Sequence, residues 1–240
     1  MRARSGAVLL GLFVLVTACG AKQMQVDEDI HPGTPVAADE DVDPTTPAPS
    51  ERRVTPQWSY DPDATYAEGD IAARMSLEGI DRDEAIRRFR VEDAVSGIIG
   101  PTIDAWWPDT FAGLWISTPP KPFKVNISFT SNAAANVAEL REIFPFPQYL
   151  RAVQGAMPLS QLLSIQRTMI DDRTDLANGV ARSDLPPIIT ETRGRYDLGT
   201  DIPTNNLVVY VERASRELLD AFRSTYTPRI IMREGLTQPD

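Results

Sequence analysis

Few residues in this chain are of a type that supports covalent or acid–base chemistry. The 240 residues include one cysteine, Cys19, and one histidine, His31. One cysteine cannot form an internal disulfide or a cysteine-based metal site. One histidine in a proline-rich stretch leaves none for a Ser–His–Asp triad in the folded part, so serines such as Ser128 and Ser183 lack an activating base. We therefore expect no catalytic residue, no metal and no cofactor.

Two groups of carboxylates are the remaining candidates for acid–base or metal chemistry. Asp171 and Asp172 are adjacent, and adjacent side chains on a helix point in different directions. Asp81 and Glu84 have the spacing of a helix capping box, which already gives them a structural role. We interpret both groups of carboxylates as structural. An enzyme of unfamiliar type is a third functional hypothesis, beside the two that are given at the end of this section.

The N-terminus has the composition of an export signal. Arg2 and Arg4 precede the apolar run 7–16, which is too short to span a bilayer, and small residues follow it. The sequence Val16-Thr17-Ala18-Cys19 resembles the lipobox of bacterial lipoproteins. That resemblance implies cleavage before Cys19 and lipid attachment to its thiol. We expect the protein in a bacterial cell envelope, in the outer membrane if the bacterium is Gram-negative, because Gly20 follows the cysteine.

The segment 19–63 has the composition of a flexible tether. It is rich in proline and contains the acidic runs 27–29 and 39–41 but few large apolar residues. Such a segment cannot bury enough surface to offset the entropy of ordering it. The formal net charge of the whole chain is −10, which disfavours binding to nucleic acid. The sequence therefore predicts a domain held away from a membrane by a spacer.

The globular part is predicted to open with helices in 64–108. Asp81 has the type and position of an N-cap, and apolar residues recur at helical spacing from Ile86 until Gly100-Pro101, where we expect the helix to end.

Two similar β-β-α-β units are predicted to follow these helices. In the first, 109–157, the strand 123–129 alternates apolar and polar residues, which indicates one buried and one solvated face. It lies between a strand at 111–117 and a helix near 137–144, and a third strand covers 149–154. A connecting helix, 158–180, leads to the second unit, 181–240, with strands at 188–195, 206–212 and 229–233 and a helix at 214–223.

Equivalent positions in the two units lie at nearly constant offsets. Thr130 matches Glu212, Phe144 matches Tyr226 and Gly155 matches Gly235, which are 82, 82 and 80 residues apart. The sequence thus predicts an α+β fold with N-terminal helices and two β-β-α-β subdomains built of small antiparallel or mixed sheets backed by helices and joined by a helix. Chance similarity between two common patterns is the alternative.

Three segments of the globular part resemble a known family. The segments 75–89, 109–116 and 125–130 resemble the N-terminal prodomains of alpha-lytic protease and streptogrisin-like secreted serine proteases. The resemblance covers roughly residues 64–236. It implies a module that binds a chymotrypsin-like protease, assists its folding and inhibits it, partly by pairing a sheet in its second half with the protease.

The chain departs from that family because no protease domain follows Leu236–Asp240 in the sequence. We therefore expect a non-catalytic, membrane-anchored protein-binding lipoprotein that acts on a secreted protease or another envelope protein in trans. The alternative is a scaffolding envelope lipoprotein with no protease partner. The predicted protein-binding surface is the last strand and the start of the tail: Arg229, Ile230, Ile231, Met232, Arg233, Glu234, Gly235 and Leu236.

Overall fold

The computed structural model describes residues 56–118 and 121–235, and it confirms the predicted α+β class. Cys19, Leu236 and most of the predicted tether lie outside the described residues. The helices are α1 Glu68–Glu78, α2 Arg82–Ala94, α3 Gly100–Trp106, α4 Ala133–Ile143, α5 Leu159–Ala177, α6 Pro187–Thr190 and α7 Arg216–Thr225. The strands are β1 Phe111–Ser117, β2 Lys124–Phe129, β3 Leu150–Gln154, β4 Tyr196–Asp201, β5 Asn206–Val211 and β6 Ile230–Glu234.

The β-β-α-β order occurs twice, as predicted. Each unit forms a three-stranded sheet, in the order β1-β2-β3 and β4-β5-β6. In both sheets the first pair of strands is antiparallel and the second pair is parallel. Val125 lies opposite Leu150 in the first sheet and Leu207 lies opposite Ile230 in the second, so the sequence offsets of 82 and 80 reappear in the register.

Each sheet packs one face against helices and forms its own hydrophobic core. The first core joins β2 and α4 to the N-terminal helices and includes Ile103, Phe129 and Leu140. The second core joins β5 and α7 to α5 and includes Met169 and Phe222. The predicted connecting helix is confirmed as α5, and its buried Leu162, Met169 and Leu176 recur at helical spacing.

The second face of β2 is buried, so the predicted solvated face is wrong. Asn126 and Ser128 are each only 2% exposed. The amide of Asn126 donates to the carbonyl oxygens of Trp115 and Lys124, and Ser128 lies beside Gly155. Asn126 and Ser128 give β2 the alternation of polar and apolar residues that is typical of a strand with one solvated face. Tertiary packing nevertheless covers that face.

The strand predicted at 188–195 is also wrong, because α6 and a turn occupy this segment. Pro186 precedes the helix and Pro187 is its first residue, where a missing N–H removes no helical hydrogen bond. Arg193 and Gly194 then adopt left-handed conformations, with φ of 52° and 72°, which close the turn. The actual strand begins at Tyr196, opposite Val211.

The helix after Asp81 does not end at Gly100-Pro101. Asp81 accepts a hydrogen bond from the backbone N–H of Glu84, as expected of an N-cap. The chain then passes through a π-helical turn, Val95–Ile99, directly into α3. Pro101 lies in the first turn of α3, where its missing N–H is tolerated.

The folded region begins before residue 64, so the predicted tether ends too late. Ser59 N donates to Gly97 O at 3.1 Å, and Trp58 Nε1 donates to Thr102 Oγ1 at 3.2 Å. A Cβ at Gly97 would lie 2.8 Å from Tyr60 N, so only glycine allows this approach. Tyr60 also packs on the first core. Residues 58–60 are therefore part of the domain.

Asn205 connects the second unit to the first. It follows β4 in the left-handed conformation and is 4% exposed. Its Oδ1 accepts hydrogen bonds from the N–H groups of Ala156 and Met157, at 3.1 and 2.8 Å. Its Nδ2 donates to the carbonyl oxygens of Ala112 and Met157, at 3.2 and 3.0 Å. One side chain thus binds both β1 and the segment that leaves β3.

Glycines at two positions near this junction leave room for neighbouring side chains. A Cβ at Gly155 would collide with Ala112 and Ser128, and a Cβ at Gly113 would collide with the side chain of Ile202. Gly113 also has a φ of 150°, which side chains disfavour. The contact of Ile202 with β1 therefore depends on the missing side chain of Gly113, and the path of the chain after β3 depends on that of Gly155.

We predict that Asn205→Ala lowers the free energy of unfolding by about 3 kcal/mol, because it leaves several buried backbone groups without a partner. Thermal unfolding measures the effect, with a loss of roughly 10 °C expected for a domain of this size. Asn206→Ala is the matched control, since the amide of Asn206 bonds only to Thr204 Oγ1. Equal melting temperatures for the two variants would contradict the role of Asn205.

We predict that a chain starting at Ala64 is less stable than one starting at Pro56, because it lacks the contacts of Trp58 and Tyr60. Burial of the tyrosine ring contributes about 2 kcal/mol, which corresponds to roughly 5 °C in melting temperature. Tyr60→Ala in the longer chain should reproduce most of this loss, whereas Gln57→Ala, at an exposed position, should not. Identical melting of both chains would restore the predicted boundary at residue 63.

Candidate functional site

The predicted protein-binding strand lies at an edge of the second sheet. β6 pairs with β5 on one side only, and β5 is the central strand. Ile230–Glu234 therefore form an edge strand of this sheet and not its central strand.

The direction of the backbone groups along β6 follows from its two flanking hydrogen bonds. Leu207 N donates to Arg229 O at 2.8 Å, and Gly235 N donates to Val211 O at 3.2 Å. In a parallel pair, residues whose N–H and C=O groups face the neighbouring strand alternate with residues whose groups face away. Residues 231 and 233 thus bond to β5, whereas the peptide groups of Ile230, Met232 and Glu234 point to the open edge.

An arginine limits the open edge at its N-terminal end. Arg223 Nε, on α7, donates to the outward carbonyl oxygen of Ile230 at 2.9 Å. The outward groups without a hydrogen-bond partner among the described residues are then those of Met232 and Glu234, together with Ile230 N–H. This length of free backbone can accept a short extended segment by strand addition.

The side chains predicted to bind a partner divide into buried and accessible ones. Ile230 is fully buried, and Arg229 donates to the carbonyl oxygens of Asn205 and Thr204, so both serve the fold. Ile231 and Met232 are half-buried. The Arg233 guanidinium lies 3.5 Å from the Asp201 carboxylate, which neutralises part of the edge.

The end of β6 is fixed by its own side chain and by a glycine. Glu234 accepts a hydrogen bond from Ala214 N at 2.9 Å and is otherwise exposed. Gly235 has a φ of 142° and is also exposed. Leu236 and the remaining tail lie outside the described residues, so the predicted site is described only from Arg229 to Gly235.

Asp172, one of the two adjacent carboxylates, belongs to a buried polar network. It is 4% exposed, pairs with Arg182 and accepts a hydrogen bond from Tyr226 OH at 2.7 Å. Arg182 also binds the carboxylates of Asp175 and Asp184. Burial and the bond to Asp172 raise the pKa of the Tyr226 phenol. The network fixes the segment after α5 against α7, while Asp171 faces solvent.

The other residues considered for catalysis or metal binding, and the possibility of a membrane-spanning helix, can also be compared with the structure. Across the described ranges 56–118 and 121–235, no three histidine, cysteine or carboxylate residues are grouped as metal ligands would be. Ser183 lines an open pocket after α5 together with Arg182 and Arg193. Arg182 is already bound to the carboxylates of Asp172, Asp175 and Asp184. In the same part of the chain no helix is long and apolar enough to cross a bilayer.

Sequence reasoning missed Asn205 and Arg223, which define the junction and the edge. The offset of 82 that relates the two units also relates Arg223 to Arg141, and Arg141 donates to Leu150 O at 3.0 Å. The repeat in the sequence therefore indicates that Arg141 and Arg223 occupy equivalent positions. No comparable sequence pattern indicates the role of Asn205, because its hydrogen-bond partners lie up to 93 residues away in sequence.

Comparison with known proteins adds no identification, since neither a protein-family model nor a curated protein matches this chain.

We predict that the stability of the domain falls as the pH rises from about 10 to 12. Tyr196 is 1% exposed, its hydroxyl donates to Met169 O, and burial raises its pKa to about 12. The neutral phenol is favoured in the folded state, so its contribution is complete below the unfolded pKa near 10 and is lost through the folded pKa. Tyr196→Phe should flatten this alkaline loss in urea unfolding. An unchanged slope would show that Tyr196 does not titrate with folding.

Proposed function

We propose that this protein is a membrane-anchored, non-catalytic binding lipoprotein that accepts an extended strand of a partner protein at the β6 edge. The partner proposed is a secreted chymotrypsin-like serine protease, which the module chaperones or inhibits in trans. The lipid on Cys19 would hold the domain at the envelope.

The open backbone of β6 is the observation that carries this proposal. Met232 and Glu234 turn their peptide groups away from β5, and no described residue bonds to them. Backbone groups at an edge bind another strand with few demands on its sequence. The half-buried Ile231 and Met232 add apolar contact on opposite faces of the same edge.

The choice of partner class comes from the resemblance to protease prodomains. In that family the second half of the prodomain supplies the pairing sheet, and β6 belongs to the second unit of this chain. In the same family the C-terminal tail of the prodomain lies in the protease cleft, and residues 236–240 of this chain follow the last strand in the sequence. The lipobox resemblance supports the same setting, since export places the domain where secreted proteases are found.

We predict that Met232→Pro weakens partner binding about tenfold or more while leaving the fold intact. The N–H of Met232 points outward, so proline removes a donor from the edge and its ring blocks an incoming strand. Ile231→Pro is the matched variant, because the N–H of Ile231 faces β5 and its loss breaks the sheet. It should lower the melting temperature by roughly 10 °C.

The measurement uses the full mature chain to capture proteins from secreted and envelope fractions, followed by mass spectrometry and an inhibition assay on any serine protease recovered. Capture that Met232→Pro abolishes, without a change in melting, supports the edge. Equal capture by the wild type and Met232→Pro would refute it. Recovery of envelope proteins without a protease would instead favour the scaffolding alternative.

A further inference from the structure

β3 occupies in the first sheet the place that β6 occupies in the second. Both are edge strands, and both pair in parallel with the central strand of their sheet. Gly155 N donates to Phe129 O at 2.8 Å, as Gly235 N donates to Val211 O in the second unit. By the same alternation, Arg151 and Val153 bond to β2, whereas the peptide groups of Leu150, Ala152 and Gln154 face outward.

An arginine side chain limits each of the two edges in the same way. Arg141, on α4, donates from Nη2 to the outward carbonyl oxygen of Leu150 at 3.0 Å. Beyond this point the peptide groups of Ala152 and the N–H of Gln154 have no hydrogen-bond partner among the described residues. Two residues of open backbone thus remain at each edge, at matching positions.

The two edges differ in charge. The chain has no acidic residue from 110 to 138 or from 143 to 170, although its net charge is −10. The strands of the first sheet therefore carry only the positive charges of Lys124 and Arg151. The second sheet instead has Asp201 and Glu234 beside Arg233.

Arg151 lies on the edge strand itself, whereas Lys124 lies on the central strand and its ammonium donates to Gln148 O at 2.8 Å. Arg151 is exposed and lies opposite Asn126, and Lys124 is two residues from Asn126, so both cations share one face of the sheet. The guanidinium of Arg141 lies at the edge itself. Of the two carboxylates of α4, Glu139 lies on the opposite side of the helix from Arg141, since two helical residues differ by about 200°, and the exposed Glu142 is about 100° from Arg141 around the helix.

We propose that the β3 edge is a second strand-accepting site, and that it takes an acidic extended segment of a partner protein. Carboxylates at alternate positions of that segment would lie beside Arg151, on the face of the sheet that also carries Lys124. Apolar side chains at the intervening positions would face the side of Ala152 and Leu150, which packs on the first core. Charge complementarity selects the occupant, and backbone pairing holds it. The site is independent of β6, so the protein binds two segments.

The test uses the full chain and a fluorescein-labelled hexapeptide of alternating aspartate and valine, with a lysine–valine hexapeptide as the charge control. Fluorescence anisotropy measures binding at low and high salt. We expect the acidic peptide to bind about tenfold or more tightly than the basic peptide at low salt, and less tightly as salt rises.

Three variants test whether the acidic peptide binds at the β3 edge. Ala152→Pro removes an outward N–H and should abolish binding of the acidic peptide. Arg151→Glu, at an exposed position, should invert the preference between the two peptides and does not depend on the proline variant folding. Met232→Pro should leave acidic-peptide binding unchanged. The proposal fails if the wild type does not prefer the acidic peptide, if Arg151→Glu keeps the preference, or if folded Ala152→Pro binds like the wild type.

Discussion

The close contact at Asn205 is the constraint on which the arrangement of the two units depends. Each unit has its own small core, and a small domain buries a smaller share of its surface than a large one. The Asn205 amide satisfies backbone groups on β1 and on the segment after β3, which would otherwise be buried without partners. Gly113 permits the approach of Ile202 from the second unit because it has no Cβ, and Gly155 likewise lets the chain pass Ala112 and Ser128 within the first unit. The junction therefore fixes where β3 ends and where α5 begins.

Small sheets leave a large share of their strands at edges, and this protein limits those edges by arginine. Arg141 and Arg223 each come from the helix of a β-β-α-β unit and bind the first outward carbonyl of its last strand. A charged group at that place discourages uncontrolled pairing with other chains. The next two residues whose peptide groups face outward stay open. The same geometry that protects the edge thus defines a short binding site, and the sequence around each edge sets its charge.

Several buried charged side chains in this domain bind one another. Arg88 pairs with Glu78 and Glu84 and lies over the ring of Phe123, and Asp172 binds Arg182 and Tyr226. These networks join helices to helices and helices to sheets, in places where the apolar surface alone is small; in α1, for example, the only buried residue is Ile71. The carboxylate of Asp172 is consequently engaged in packing.

The sequence by itself determined the α+β class, the repeated β-β-α-β order and most element positions, because alternation and helical spacing are local properties of burial. It misplaced β4, since Ile188 and Ile189 are as apolar as a strand while Pro187 starts a helix instead. It also misjudged the polar face of β2 and the start of the domain at residues 58–60, whose partners are distant in sequence. Only the tertiary structure decided that β3 and β6 are edges and which peptide groups face outward. The order of the strands in each sheet depends on contacts between segments that are distant in sequence, which the local patterns of alternation and helical spacing do not specify.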